Sequence, residues 1–165
     1  MSDVSNTYYS GQAFVGYGSQ LFVGDGASPE TFEAIADIEK ITPGEMSTNV
    51  VDKTHLRSPD AHKEKLATIR DSGPFQLMGN WRPTHQSQSN AGGGTSAFAS
   101  GGLAYLWRTK AERNFKIVLS DGSPGTEWPF RGVVTKFQPC EIGVDAKVTF
   151  SAEITPLQAF DAALP

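Results

Sequence analysis

Apolar and polar residues alternate most cleanly near the C-terminal end of the chain. Val144, Ala146, Val148, Phe150, Ala152 and Ile154 share one parity; Asp145, Lys147, Thr149, Ser151, Glu153 and Thr155 share the other. A period of two held over that many positions predicts a long β-strand with one dry and one wet face. Residues 113–119 (RNFKIVL) and 126–137 (TEWPFRGVVTKF) read as two further strands, punctuated by Asp121-Gly122-Ser123-Pro124-Gly125. Upstream, residues 12–23 alternate with both faces partly apolar, and Gly24-Asp25-Gly26-Ala27-Ser28-Pro29 ends them in a turn. Residues 32–42 read as a second strand. Phe32, Ala34, Ala36 and Ile38 are in phase, while Ile35 and Ile41 fall out of it. That predicts a bulge, a bend or burial on both faces; a short helix over 31–36 competes. Residues 48–53 and 73–81 complete the strands.

Two segments break this rhythm. Residues 54–72 (THLRSPDAHKEKLATIRDS) are densely charged, and too long for a routine hairpin loop. Residues 82–102 are polar and rich in glycine and serine, which predicts a soft segment rather than a core element. After them Leu103, Leu106 and Trp107 make an i, i+3, i+4 stripe, so residues 103–112 are the best helix candidate. Residues 1–11 read as a flexible arm that Tyr8 and Tyr9 could dock. The expected fold is mainly β: one domain over residues 12–165, a β-sandwich or barrel of about seven strands with one flanking α-helix.

Composition agrees. With 165 residues the chain is long enough to bury a core without staples, and 17 Gly with 10 Pro suit a protein of many turns. The net charge of −4 argues against a groove built to grip nucleic acid phosphates. Cys140 is the only cysteine, so no intrachain disulfide can form. No apolar run approaches the ~18–20 residues of a membrane helix, and no membrane partner is expected.

Candidate chemistry is sparse. Asp52, His55, Asp60 and His62 form a loose cluster, and His85 stands apart, but none has the spacing of a metal motif; no metal and no cofactor is expected. Glu127 with Glu141 or Asp145 could be drawn as an acid–base pair, yet alternation on a wet face explains those charges more simply. There is no Gly-x-Ser-x-Gly elbow. Gly16-Tyr17-Gly18 and Gly92-Gly93-Gly94 lack the Gly-Lys-Ser/Thr or strand–helix context of a phosphate loop. Trp81, Trp107 and Trp128 could stack a ligand, although their positions suit core packing better. No catalytic residue is assigned and no enzyme activity is expected.

The order and spacing of four stretches carry a resemblance. They are Gly24-Asp25-Gly26-x-x-Pro29-Glu30-x-Phe32; Val51-Asp52-Lys53-Thr54-His55 with the closing Ile69-Arg70-Asp71-Ser72-Gly73; the strand 113–119 with Asp121-Gly122; and Trp128-x-Phe130-x-Gly132-x-Val134-Thr135. Together they resemble the major tail tube proteins of long, non-contractile-tailed bacteriophages and of gene transfer agents. The segment 82–102 departs from that pattern in being longer and more polar.

The resemblance implies a structural virion protein, assembled in the host cytoplasm and resident in the virion tail. It implies self-assembly into hexameric rings that stack as a tube for DNA delivery. Further implied partners are tape-measure and tail-terminator or baseplate proteins, with DNA passing unbound. Within that frame the loop 54–72 is expected to join rings through Thr54, Arg57, Asp60, Lys63, Glu64 and Lys65. The wet face Asp145, Lys147, Thr149, Ser151 and Glu153 is expected to meet the lumen or a neighbouring subunit. The alternative is a monomeric carbohydrate- or ligand-binding β-sandwich using the tryptophans.

Overall fold

The computed structural model describes residues 16–93, 96–122 and 124–158; the expected arm, residues 1–11, lies outside them. Among the described residues the order is β1 (Gln20–Gly24), β2 (Phe32–Ala34), β3 (Ile38–Thr42), β4 (Met46–Asp52), β5 (Lys65–Ser72), β6 (Phe75–Asn80), α1 (Leu103–Thr109), β7 (Glu112–Val118), β8 (Glu127–Gly143) and β9 (Ala146–Pro156). Seven strands form one antiparallel sheet in the order β2-β1-β7-β8-β9-β6-β3, and β4 pairs with β5 alone.

The two edge strands of the seven-stranded sheet are neighbours in sequence, and this dictates its shape. Ala34 and Ile38 are separated by only three residues, so their Cα atoms lie at most about 15 Å apart. A flat sheet of this width would hold its edges roughly 29 Å apart. The sheet must therefore curl, bringing its two halves face to face. Phe75 of β6 stacks on Phe130 of β8 at a centroid distance of 4.2 Å across the interior. Leu21, Val23, Phe115, Ile117, Leu77, Phe150 and Ile154 fill the rest of the concave side. Each large side chain buried there stabilises the fold by roughly 1.5–3 kcal/mol. No ladder joins β2 to β3, so the fold is a curled, sandwich-like sheet; the barrel alternative does not hold.

The crossing between the edges is pinned by the segment expected to be soft. Residues 82–102 hold Ser87 and Gln88 fully buried. The Gln88 amide donates to Ala36 O (2.8 Å) and Asn80 O (3.1 Å) and accepts from Arg82 N–H at 2.8 Å. Ser87 Oγ accepts from Ala36 N–H at 3.1 Å. The carbonyls of Ser87 and Ser89 then accept from Leu103 and Gly102 N–H, satisfying the first amides of α1. Ala97 and Phe98 enter the core itself. Polar composition is thus no guide to softness here, because each buried polar group saturates a backbone group that the bend leaves open.

Other expectations change in detail. The first strand begins at Gln20, after a turn at Tyr17–Gly18; residues 12–15 lie outside the described set. The run 32–42 bends at Ile35–Asp37, where Asp37 is left-handed (φ 56°), and its halves serve opposite sheet edges. The last 8 residues of the expected loop 54–72 are strand β5. The helix stops at Thr109, where Lys110 turns left-handed, and Leu103 and Leu106 are the buried part of its stripe.

Candidate subunit interface

Strands β4 and β5 continue β3 and β6. Thr42 faces Gln76 and Met46 faces Ser72, so three residues on each side separate the two pairs. The four strands are one long hairpin whose register carries across the joint at Pro43-Gly44-Glu45 and Gly73-Pro74, with irregularities on either side of it at Ile38–Lys40 and Thr48–Val50. Neither proline can donate a ladder bond, and one bond, Gly73 N–H to Glu45 O at 2.9 Å, spans the joint. A Cβ on Gly44 would come within 2.1 Å of the Gly73 backbone, so glycine is required by the close approach.

Beyond the joint the hairpin leaves the body. Every residue of β4 is exposed, and every residue of β5 except Ser72. Met46, Val50, Val51, Leu66 and Ile69 are therefore in solvent in a single copy. Val51 lies directly across from Leu66 on one face, while Val50 lies across from Ala67 on the other. An isolated two-stranded hairpin is marginal in water, and this one offers two unpaired edges as well.

The far end of the arm is closed by its own polar side chains. Glu64 N–H donates to Thr54 Oγ1 at 2.9 Å, and Ser58 Oγ donates to Glu64 Oε2 at 2.9 Å. Hydrogen bonds from the side chain and backbone of Thr54 hold the Asp52 carboxyl below its ordinary value. Of the six residues expected to join rings, Thr54 and Glu64 serve this closure, while Arg57, Asp60, Lys63 and Lys65 stand exposed around it. Leu56 projects fully at the same end. In the stem, the strand expected over 48–53 stands as β4, while β5 falls inside the segment expected to be a loop.

The alternating strand behaves as expected over its C-terminal half only. Phe150, Ala152 and Ile154 are buried, whereas Ala146, Val148 and Val144 are not. Lys147, Thr149, Ser151 and Glu153 share the opposite, outer face, and Asp145 sits in the turn before β9. That outer face continues across β6 through Gln76 and Met78, opposite Glu153 and Ser151. Two of the lysines on it are paired: Lys136 Nζ lies 3.1 Å from Glu153, and Lys147 pairs with Glu39. The β8–β9 turn extends past the body, with Ile142 78% and Val144 102% exposed. Near the other end of β9, Trp107, Arg108, Lys110, Val133, Thr135 and Leu157 line a largely apolar groove of about 560 Å³ beside α1.

The residues weighed for chemistry do not assemble. Glu127 and Glu141 are 14 residues apart along β8 and Asp145 lies beyond its far end, tens of ångströms from Glu127 and far outside the separation a carboxylate pair requires. Glu127 instead pairs with Lys116 at 3.0 Å. Among the described residues no group of three or more His, Cys, Asp or Glu is placed to hold a metal ion. Trp128 is buried in the core, Trp81 packs against Phe137 and Phe150, and Trp107 is half exposed on the groove.

Comparison with known proteins gives a consistent picture. Residues 17–158 match the family profile described as Lambda phage tail tube protein. No curated protein matches the sequence. Among solved structures, the chain is similar to one in the tail of an empty gene transfer agent particle refined with C6 symmetry. The TM-score is 0.62 at 12% identity, over 89% of this chain and 96% of that one. A chain from the virion of a native gene transfer agent particle aligns with TM-score 0.60 at 13% identity, over 89% and 96%. A third, from the six-fold symmetrised baseplate of the anti-feeding prophage, gives 0.57 at 12% identity, over 88% and 93%. At these identities the structures establish a shared fold.

Proposed function

Because the chain belongs to the Lambda phage tail tube protein family, we propose that copies of it close into hexameric rings, and that the rings stack into a tube through which DNA reaches the host. The protein is a structural component of the virion tail and not an enzyme. The observation that carries the assembly reading is the uncovered arm, residues 46–72. It is a two-stranded sheet with exposed apolar side chains on both faces, and none of the other described residues covers them. A second copy supplies the cover. The arm joins rings through its stem as well as through Arg57, Asp60, Lys63 and Lys65 at its end. Exposed ion pairs there contribute at most ~1 kcal/mol each, so the apolar stem supplies the larger share.

Six copies per ring follow the six-fold symmetry of the gene transfer agent tail and the anti-feeding prophage baseplate. The outer face of β9 and β6 lines the lumen. It is largely polar, and two of the lysines on it, Lys136 and Lys147, are paired with Glu153 and Glu39, which suits a wall that a polyanion must slide past without sticking. Tape-measure, tail-terminator and baseplate proteins are the remaining partners, met inside the tube and at its two ends.

Negative-stain microscopy of the purified protein tests this. Rings or tubes are expected, and replacing residues 46–72 by a short glycine link should leave a folded monomer that forms no tubes. The link is feasible because Glu45 and Gly73 are hydrogen-bonded neighbours. A wild type that stays monomeric at high concentration sinks the proposal.

A further inference from the structure

We infer that the β8–β9 turn of one copy seats in the groove beside α1 of a second copy, making an axial contact separate from the arm. The inference rests on the assembly reading above. Ile142 and Val144 form an exposed apolar tip with no core beneath it. The turn runs roughly 13 Å past Val148, the last β9 residue whose backbone the body holds, its carbonyl accepting from Trp81 N–H. A tip of this kind is costly in solvent unless something covers it.

The groove has complementary chemistry. Its floor is apolar, from Trp107, Val133 and Leu157, and its rim carries the exposed cations Arg108 and Lys110. Its acidic residue, Glu112, is already bridged to Arg131 at 2.7 Å. The tip carries two exposed carboxylates, Glu141 and Asp145. An apolar wedge flanked by anions thus faces an apolar slot flanked by cations. Charge matching of this sort fixes partner and register more than it adds affinity.

Geometry makes the contact intermolecular. The tip precedes β9 and the groove takes Leu157 just after it. A continuous strand of that length holds the two roughly 40 Å apart, so no copy can fill its own groove with its own tip. Two different patches at opposite ends of one strand form a heterologous pair, which does not close as a two-fold dimer but repeats head-to-tail; the separation of the two patches along the strand is what we assign to stacking.

The test is tube length by electron microscopy. Ile142→Asp with Val144→Asp should leave rings but reduce the number of rings per tube at least tenfold. Glu141→Lys with Asp145→Lys should shorten tubes, and adding Arg108→Glu with Lys110→Glu should restore them. Circular dichroism establishes that each variant is folded; should the Asp pair misfold, the charge-reversal series stands alone. Wild-type-length tubes from the folded tip variants, or no restoration by the double reversal, overturn the contact and leave the assembly reading intact. A wild type that forms neither rings nor tubes overturns both.

Discussion

The inner and outer halves of the long β3–β6 hairpin share strand direction, pairing and register, yet they live in different environments. In the inner half Phe75 and Leu77 of β6 point into the core and are at most 2% exposed. In the outer half, beyond the Gly44–Gly73 joint, β4 and β5 have no buried residue. Backbone hydrogen bonding is much the same in both. The difference teaches that ladder bonds alone do not decide where this chain is stable: exchanging water for a strand partner gains little, and burial on one face gains much.

The sharpest break of that comparison is a truncation at the inner half. Phe75→Ala removes a ring stacked on Phe130 and packed edge-on to Trp128. It should cost about 3–5 kcal/mol in chemical denaturation, enough to threaten the fold. Next comes Gln88→Ala, which strands the Ala36 and Asn80 carbonyls and the Arg82 amide where the sheet edges cross. A loss of about 1–3 kcal/mol is expected in the same measurement.

In the outer half Ile69→Ala should change the denaturation midpoint of the monomer by less than about 0.5 kcal/mol equivalent while weakening assembly, read by sedimentation. A stability loss as large as that of Phe75→Ala would show that the arm folds back on its own body. The smallest effect is electrostatic. Thr54→Val should raise the Asp52 pKa toward its ordinary value, followed by NMR titration. The sign follows from a depressed carboxylate: its stabilising bonds are present above the ordinary carboxylate pKa and are lost as pH falls through the folded-state value. Thr126→Val should act likewise on Asp121, whose carboxyl is lowered by bonds from the Thr126 side chain and backbone.

The sequence made visible whatever one-sided burial imprints. Residues 113–119, 126–137 and the C-terminal half of β9 alternate because the core takes every second side chain, and strands form there, although β8 runs on past 137 to Gly143. Out-of-phase Ile35 and Ile41 signalled the bend between β2 and β3. The strand β5 was invisible because neither of its faces is buried, so no period was written into Lys65–Ser72. The Ser87–Gln88 plug was invisible for the opposite reason. Its partners Ala36 and Asn80 lie far away or across a turn, and no local pattern records a hydrogen bond made at a distance of 52 residues. The residues expected to join rings, Thr54, Arg57, Asp60, Lys63, Glu64 and Lys65, lie at the charged end of the arm, because charge is conspicuous in a sequence and an unmatched Val50 or Leu66 is not. Val144 was placed on the dry face by parity; parity says nothing about where the core stops.

The joint at Pro43-Gly44 and Gly73-Pro74 has a mechanical consequence. A rigid arm would transmit every tilt of a neighbour as strain into β3 and β6, and so into the Phe75 packing. A joint crossed by a single backbone bond bends before the ladders on either side do. Each copy would then be coupled to the next by a compliant tether, and a stack of such copies could flex along its length with its cores undistorted.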